Sequence, residues 1–462
     1  MPDGAGQPEQ TGPTLKIAPA MSLVDAAQWD ACALAAATPD ERDDPFIRHA
    51  FLSALEDAGC VRAETGWGPA HVLLEDEGGA LMGAVPCYLK GHSRGEYVFD
   101  QGWADAYERA GGRYYPKLQV SIPFTPVTGP RLLAPPGEDG KAIRAQLISG
   151  LRALRRQTGA SSIHATFLRE DDFNAFTADD FLTRIDQQFH WFDDGYGDFE
   201  GFLASLASRK RKAIRRERRD ALADDISVEW VTGSDLTEAH WDAFHAFYED
   251  TGARKWGRPY LNREFFSLIG ERMPERVLLI LAKRAGRYIA GAINFIGKDA
   301  LYGRNWGCIE DHPFLHFEIC YYQAIDYALA HGLTRVEAGA QGEHKLTRGY
   351  RPVTTRSAHL IADPGLRRCA HAAPYGFHTP AMPLGARQAP PRRPATVAVH
   401  DHGDVTRQAG ERISAPHVGL LHAADPCGGC GAVIARHEAL SPFGAGWPAH
   451  ARMRVRSPIR PA

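Results

Sequence analysis

Two stretches of this chain read alike at a constant offset, and any fold has to accommodate both. The first, VLLEDEGGALMGAVPCYLK, covers residues 72–90; the second, ILAKRAGRYIAGAINFIGK, covers residues 280–298. Gly78 aligns with Gly286, Leu81 with Ile289, Gly83 with Gly291, Ala84 with Ala292 and Val85 with Ile293. Each copy reads as strand, glycine turn, strand, the pattern of a β-hairpin. Helical sequence precedes each hairpin, at residues 44–59 and 237–252, with Ser234 and Asp235 as capping residues before the second. A helical pattern, a glycine and a short strand follow each, in KAIRAQLISGLRALRRQTGASSIHATF and HFEICYYQAIDYALAHGLTRVEAG. Coincidence of two ordinary hairpins is the plainer alternative. The shared flanking order predicts an α+β (α/β layered) fold made of tandem duplicated units, with central mixed sheets flanked by helices.

The units are expected over residues 21–195 and 226–363. Residues 1–20 are expected to be disordered, and residues 364–462 to form an irregular or disordered tail. That tail has no lysine from His371 onward and shows neither helical nor strand periodicity. Its composition changes abruptly after ADPGLRRCA, so out-of-frame translation is one reading of it, tested by sequencing the locus. Cys427 and Cys430 in DPCGGCGAV are half of a zinc site or a redox pair. No second pair follows, and His422 and His437 stand at no standard spacing, so no metal site is expected.

Residues 196–225 join the units and carry SRKRKAIRRERRD, with eight basic residues between Arg209 and Arg219. Phe199, Leu203, Leu206, Ala213, Ile214 and Ala221 form one apolar helical stripe, and Lys210 falls on it. A cation on an apolar line is costly without an anion. Lys210, Arg211 and Arg215 are therefore candidates to hold a phosphate between the units; a solvated basic face is the plainer reading. The chain's net charge of −3 argues against a duplex-DNA binder, whose binding domain usually has a pI above about 9. The longest aliphatic run, VLLILA, falls far short of the roughly 20 residues a membrane span needs. No leader pattern opens the chain, and its eight cysteines follow no disulfide framework. A cytoplasmic protein with reduced thiols is expected.

SLASRKRKAIRRERR, HSRGEYVFDQGWADAY, YYPKLQVSIPFTPVTGPRLL, RKWGRPYLNREFF and HPFLHFEICYYQAIDYALAHGLTRVEAGAQGEHKLTRGYRPV carry a resemblance over residues 44–363. The chain resembles the FemAB-like N-acyltransferase family of the GNAT (N-acetyltransferase fold) superfamily, bacterial proteins similar to the Fem-type peptidoglycan aminoacyltransferases. The resemblance implies two GNAT-like domains. It also implies transfer of an acyl or aminoacyl group to an amine, with a peptidoglycan precursor as one acceptor. The co-substrate is acyl-CoA or aminoacyl-tRNA, with no tightly bound cofactor; the partners are a small-molecule or peptide acceptor amine and, under the second donor, tRNA. Two departures stand out. Family members are expected to continue with a helical segment after ADPGLRR. The acetyl-CoA loop R/Q-x-x-G-x-G/A is replaced by GCIEDHPFLHF, which argues against a standard acetyl-CoA enzyme.

Such chemistry needs a general base, donors for an oxyanion and a proton for the leaving group. No covalent nucleophile is required, and no G-x-S-x-G signature is present. The loop after TRVEAG presents Gln341, Glu343, His344, Lys345 and Arg348; an ordinary charged turn is its alternative. Glu318, in an aromatic and apolar helix, is a second candidate base, or else a carboxylate paired with an arginine. The candidate catalytic residues are thus Glu318, Glu343 and His344. Tyr97, Asp100, Trp103, Tyr115 and Lys117, with Tyr114 nearby, suit an acceptor site or a plain core. The loop RKWGRPYLN adds Arg258 and Tyr260 as ligand contacts. A non-catalytic module that recognises peptidoglycan precursors and an RNA-binding protein using residues 209–219 are the alternatives to an enzyme.

Overall fold

The computed structural model describes residues 12–38, 44–255, 259–340, 342–372 and 452–453, all within one compact unit. The first half opens with β1 (Thr14–Ala18), α1 (Ala26–Ala36) and α2 (His49–Asp57). Strands β2 (Trp67–Pro69), β3 (His71–Glu75), β4 (Leu81–Val85) and β5 (Cys87–Lys90) follow, then α3 (Gln101–Arg109), β6 (Lys117–Val120), α4 (Gly137–Thr158), β7 (Ser162–Thr166), α5 (Glu170–Ala178) and β8 (Leu182–Phe192). Two helices, α6 (Phe199–Ser205) and α7 (Ser208–Ala221), lead into the second half. That half contains β9 (Ser227–Thr232), α8 (Glu238–Lys255), α9 (Arg263–Arg272), β10 (Val277–Arg284), β11 (Arg287–Ile296) and β12 (Ala300–Cys308). Next come α10 (Leu315–Phe317), which runs through a π-helical turn at Glu318–Tyr322 into α11 (Gln323–Ala330), then β13 (Arg335–Glu337), β14 (Arg351–Ile361) and α12 (Pro364–Ala372). A short β15 (Arg452–Met453) pairs with β1.

The expected hairpins are β3–β4 and β10–β11, both antiparallel. The second turns through Ala285 and Gly286, with φ of 49° and 77°. Two consecutive left-handed residues make the two-residue turn whose twist suits a hairpin. The strand order repeats. In the second half it runs β9-β10-β11-β12, with β12 parallel to β13 across a helical connection. In the first half it runs β1-β3-β4, then β5-β6, with β6 parallel to β7 across α4. Pro86, which has no N–H to give a ladder, divides β4 from β5. The first hairpin therefore joins a four-stranded sheet, while the rest forms one eleven-stranded sheet.

The centre of that sheet exchanges the final strands of the two halves. β8, from the first half, pairs with β13 of the second, and β14 pairs with β7 of the first. β8 and β14 also pair with each other, from Arg351 opposite His190 to His359 opposite Leu182. The apolar run of β10 is buried on both faces. Leu279 and Leu281 join the core beneath α8 and α9, while Leu278 and Ile280 join the core beneath α11. A period of two between two helical layers yields a continuous hydrophobic strand.

Three expected boundaries change. Residues 14–18, assigned to a disordered N-terminus, form β1, because Leu15 packs into the first-half core opposite Leu74. Residues 364–372, assigned to the tail, form α12, whose Leu366 and Ala370 cover Trp103 and Tyr114. α12 begins inside ADPGLRR itself, and the segment expected to follow that motif lies beyond residue 372, outside the described residues. The connection at 196–225 is two helices, because Leu206 and Ala207 adopt extended backbone between them. The Cys427/Cys430 pair and the rest of the tail lie outside the described residues.

Candidate functional site

Strands β12 and β13 pair only where Ala300–Tyr302 meet Arg335–Glu337. Beyond Tyr302 they part, and β12 continues to Cys308 along β11 alone. A cavity of about 110 Å³ opens at the fork, lined by Asn294, Arg304, Trp306, His316, Cys320 and Tyr321. The last two stand on the π-helical turn, a local irregularity often found where a helix has been re-aimed for function. Asn294 is 1% exposed, and its side-chain oxygen has no hydrogen-bond partner.

The loop after β13 folds as a 3₁₀ turn, Glu343–Arg348, held to the π-helical turn through Tyr321 and Tyr322. The Tyr321 hydroxyl lies 3.0 Å from His344 Nε2. Desolvation, with Arg348 and Lys345 adding to it, pushes the His344 imidazole below its ordinary value. Burial pushes the Tyr321 phenol well up, so it holds its proton. Lys345 is buried and donates to the Ala338 and Gly339 carbonyls, the latter at 3.2 Å. Its ammonium is pulled down to about 8 by desolvation. Arg348 is directed inward: it binds both Glu217 oxygens at 2.9 Å and the Tyr322 hydroxyl at 2.9 Å. It fastens α7 to the helical turn rather than facing the opening.

Glu318 is fully buried in a structural ion pair. Arg218 grips it through two hydrogen bonds of 3.1 and 2.9 Å and reaches Asp326 at 2.6 Å, while Gln323 donates at 2.8 Å. Burial raises its carboxyl, and Arg218 opposes the rise. Of the proposed bases whose side chains are described, His344 is the one bonded to a residue that lines the cavity, Tyr321.

The phosphate clamp expected from Lys210, Arg211 and Arg215 does not form between the halves. The helix break at 206–207 ends the stripe on which Lys210 was counted, and Lys210 is exposed, 3.4 Å from the Leu346 carbonyl. Arg211 caps α6 by donating to the Leu203, Ala204 and Leu206 carbonyls, and Arg215 pairs with Glu200. α7 packs on α10, the π-helical turn and the 343–348 turn, all within the second half.

The first-half candidates divide. Tyr97 is half-exposed and bonds to Arg304, which also donates to the Phe124 carbonyl. Phe124 stacks on Tyr260 with ring centroids 5.0 Å apart. Tyr97 thus bonds a residue that lines the cavity, while Tyr260, from the other half, stands one residue further off on Phe124. Asp100, Trp103 and Lys117, by contrast, are enclosed, and Tyr115 reaches the same network through Ser93 Oγ at 2.8 Å. Lys117 Nζ donates to Ser93 at 2.8 Å, to Glu96 at 2.7 Å and to Asp100, whose carboxylate also accepts from Tyr114 at 2.7 Å. These groups are enclosed around the Lys117 ammonium, away from solvent. Arg258, Gln341 and the Glu343 side chain lie outside the described residues.

Burial raises the Glu96 carboxyl from 4.5 to about 7 against the pull of Lys117. A carboxyl raised in the folded state supports stability at low pH and loses that support as pH rises through its folded value. Stability attributable to Glu96 should fall between these two values, and Glu96→Gln should flatten the fall. Urea midpoints measured across the interval check this.

Sequence reasoning missed Asn294, Arg304, Trp306, His316, Cys320, Tyr321 and Arg218. One signal was available: Asn294 is an amide in an otherwise apolar strand, where the first repeat has Pro86. Among the described residues no group of His, Cys, Asp or Glu side chains is placed to hold a metal, and no helix is long and apolar enough to cross a membrane.

The fold is similar to that of several solved structures. One is FemX, at 13% identity and a TM-score of 0.47, covering 75% of this chain and 98% of that one. L-PGS from Bacillus licheniformis matches at 9% identity and a TM-score of 0.44, covering 74% and 100%. A tandem GNAT protein from the clavulanic acid biosynthesis pathway matches at 14% and 0.40, covering 76% and 99%. No curated protein sequence matches. The model of one family, described as peptidoglycan biosynthesis/recognition, matches residues 20–372, which takes in both repeats, the exchanged strands and the forked cleft. The chain belongs to the FemAB-like family.

Proposed function

We propose that this protein is an N-acyltransferase that moves an acyl or aminoacyl group from a phosphate-bearing donor to an amine, with a peptidoglycan precursor as acceptor. The observation that carries the reading is the fork between β12 and β13, lined by Tyr321, whose hydroxyl is hydrogen-bonded to His344. Beyond Tyr302 the β12 edge has no β13 residue opposite it, so backbone N–H groups there can face a ligand. Donors fixed in advance are what a developing oxyanion requires. His344, held neutral, accepts the proton of the attacking amine; Tyr321 gives its phenol proton to the leaving group and regains one from His344 across their 3.0 Å hydrogen bond. Residues 308–314, ahead of α10, contain no glycine for a CoA-diphosphate loop. The donor's phosphates are instead assigned to the outward cations of α7, among them Arg209, Lys212 and Arg216, which are exposed beside the 343–348 turn.

The test offers acyl-CoAs and a charged tRNA as donors with a UDP-linked muropeptide as acceptor, and reads the amide product by mass spectrometry. His344→Ala should lower kcat/KM by about 10²–10⁴-fold with an unchanged melting temperature. Folded protein that forms no amide from any donor would replace this reading with a non-catalytic recognition module.

A further inference from the structure

The cavity holds two features that direct proton transfer does not use. Cys320 stands on the π-helical turn and His316 four residues before it, so a helical segment presents both to the same space. Facing them from β11, Asn294 carries a buried oxygen with no donor. A buried acceptor left unsatisfied is costly, and a ligand N–H entering the cavity would relieve it.

We infer that Cys320 is a covalent nucleophile that carries the acyl group between donor and amine, with His316 as its base and Asn294 receiving an N–H of the incoming amine. This rests on the acyl-transfer reading. In the first step His316 takes the thiol proton, and sulfur bonds to the donor's acyl carbon. The bond from that carbon to the donor's oxygen or sulfur breaks, and the leaving group departs with the proton from His316. In the second step the amine nitrogen attacks the thioester carbon. The C–S bond breaks as C–N forms; His344 takes the amine's proton, and Tyr321, on the same cavity, hands its own to the sulfur and is reprotonated by His344 across their hydrogen bond. Atoms and electrons balance without an oxidant or reductant. Lys345, whose depressed ammonium value is opposed by the charge of Cys320, supplies positive potential beside the sulfur. A thiol beside a cation and an imidazole is the setting that favours thiolate. The chain's buried thiols Cys32, Cys60 and Cys87 are all pushed up by desolvation.

Iodoacetamide is the first probe, applied to the full chain and read peptide by peptide. Cys320 should alkylate about tenfold faster than Cys308, the other partly exposed thiol of the same half, and His316→Asn should abolish the advantage. The second probe is whichever donor supports transfer, quenched in acid without acceptor. The Cys320 peptide should gain the mass of one acyl group, and Cys320→Ser should lose most of the turnover, by roughly a thousandfold. Alkylation no faster than at Cys308, or wild-type turnover in Cys320→Ser, overturns the nucleophile and leaves acyl transfer standing. A fast-reacting Cys320 with no transfer from any donor removes the acyl-transfer reading and keeps the nucleophile.

Discussion

Lys117→Met should cost the fold about 3–5 kcal/mol, because it strips the cation from a pair of buried carboxylates. Lys117 is fully buried, and Glu96 and Asp100 are 4% and 3% exposed. Glu96 Oε1 and Asp100 Oδ1 already have no hydrogen-bond partner, and Lys90 Nζ, 3.8 Å from Glu96 Oε1, is pulled down to about 6 by burial, so it compensates the lost ammonium weakly. Against a typical stability of about 5–15 kcal/mol, the loss makes the protein marginal. The attraction acts in both directions: Lys117 rises above its ordinary value and Asp100 falls below its own. The Asp100 contribution is therefore present above the usual carboxylate range and lost as pH falls below it, while that of Lys117 is lost only at strongly alkaline pH. Urea denaturation gives the cost directly, and Lys117→Met with Asp100→Asn should recover part of it. A Lys117→Met protein of wild-type stability with a raised KM for the acceptor would instead return the residue to the binding role its sequence context suggested.

Arg218→Met should have a comparable effect in the second half, again about 3–5 kcal/mol, since Glu318 and Asp326 then face each other unpaired. Glu318 is fully buried, and Arg218 spans it and Asp326 at 2.9 and 2.6 Å. The deficit should depend on pH with a definite sign. Burial already raises both carboxyls, and removing the guanidinium raises them further. A carboxyl raised in the folded state stabilises at low pH and loses that stabilisation as pH rises through its folded value. The gap from wild type should therefore widen from about pH 5 to about pH 8. A constant gap, or full stability at both, would show that the pair contributes packing alone. Arg218→Met with Glu318→Gln should recover stability, which separates the ion pair from any direct part in the chemistry.

The hairpins, the helices before them and the loop after TRVEAG were legible because their signals are local. Two apolar runs either side of a glycine turn specify β10 and β11 within twenty residues of chain, and Asn262 caps α9 through Phe265 N. Lys210 misled because a helical stripe was counted through Leu206 and Ala207, where the backbone is extended. The aromatic and charged cluster at residues 97–117 read equally well as ligand site or core. What decides it is α12, which arrives from residues 364–372 to close over Trp103 and Tyr114. His164 and His359, 2.8 Å apart across the exchanged strands, illustrate the general limit. Pairing between strands so distant in sequence leaves no periodic trace in either one.

That exchange bears on how such a protein can be inherited. Neither half finishes its own sheet: β14 lies between β7 and β8, and β8 between β14 and β13. A chain severed between the halves would give two fragments with bare hydrogen-bonding edges where the partner's strand belongs, an invitation to aggregate. The repeats share a strand order, yet they are not portable modules. Recombination with a relative can trade one half only if it trades both terminal strands in register, so the heritable unit is the interlocked pair.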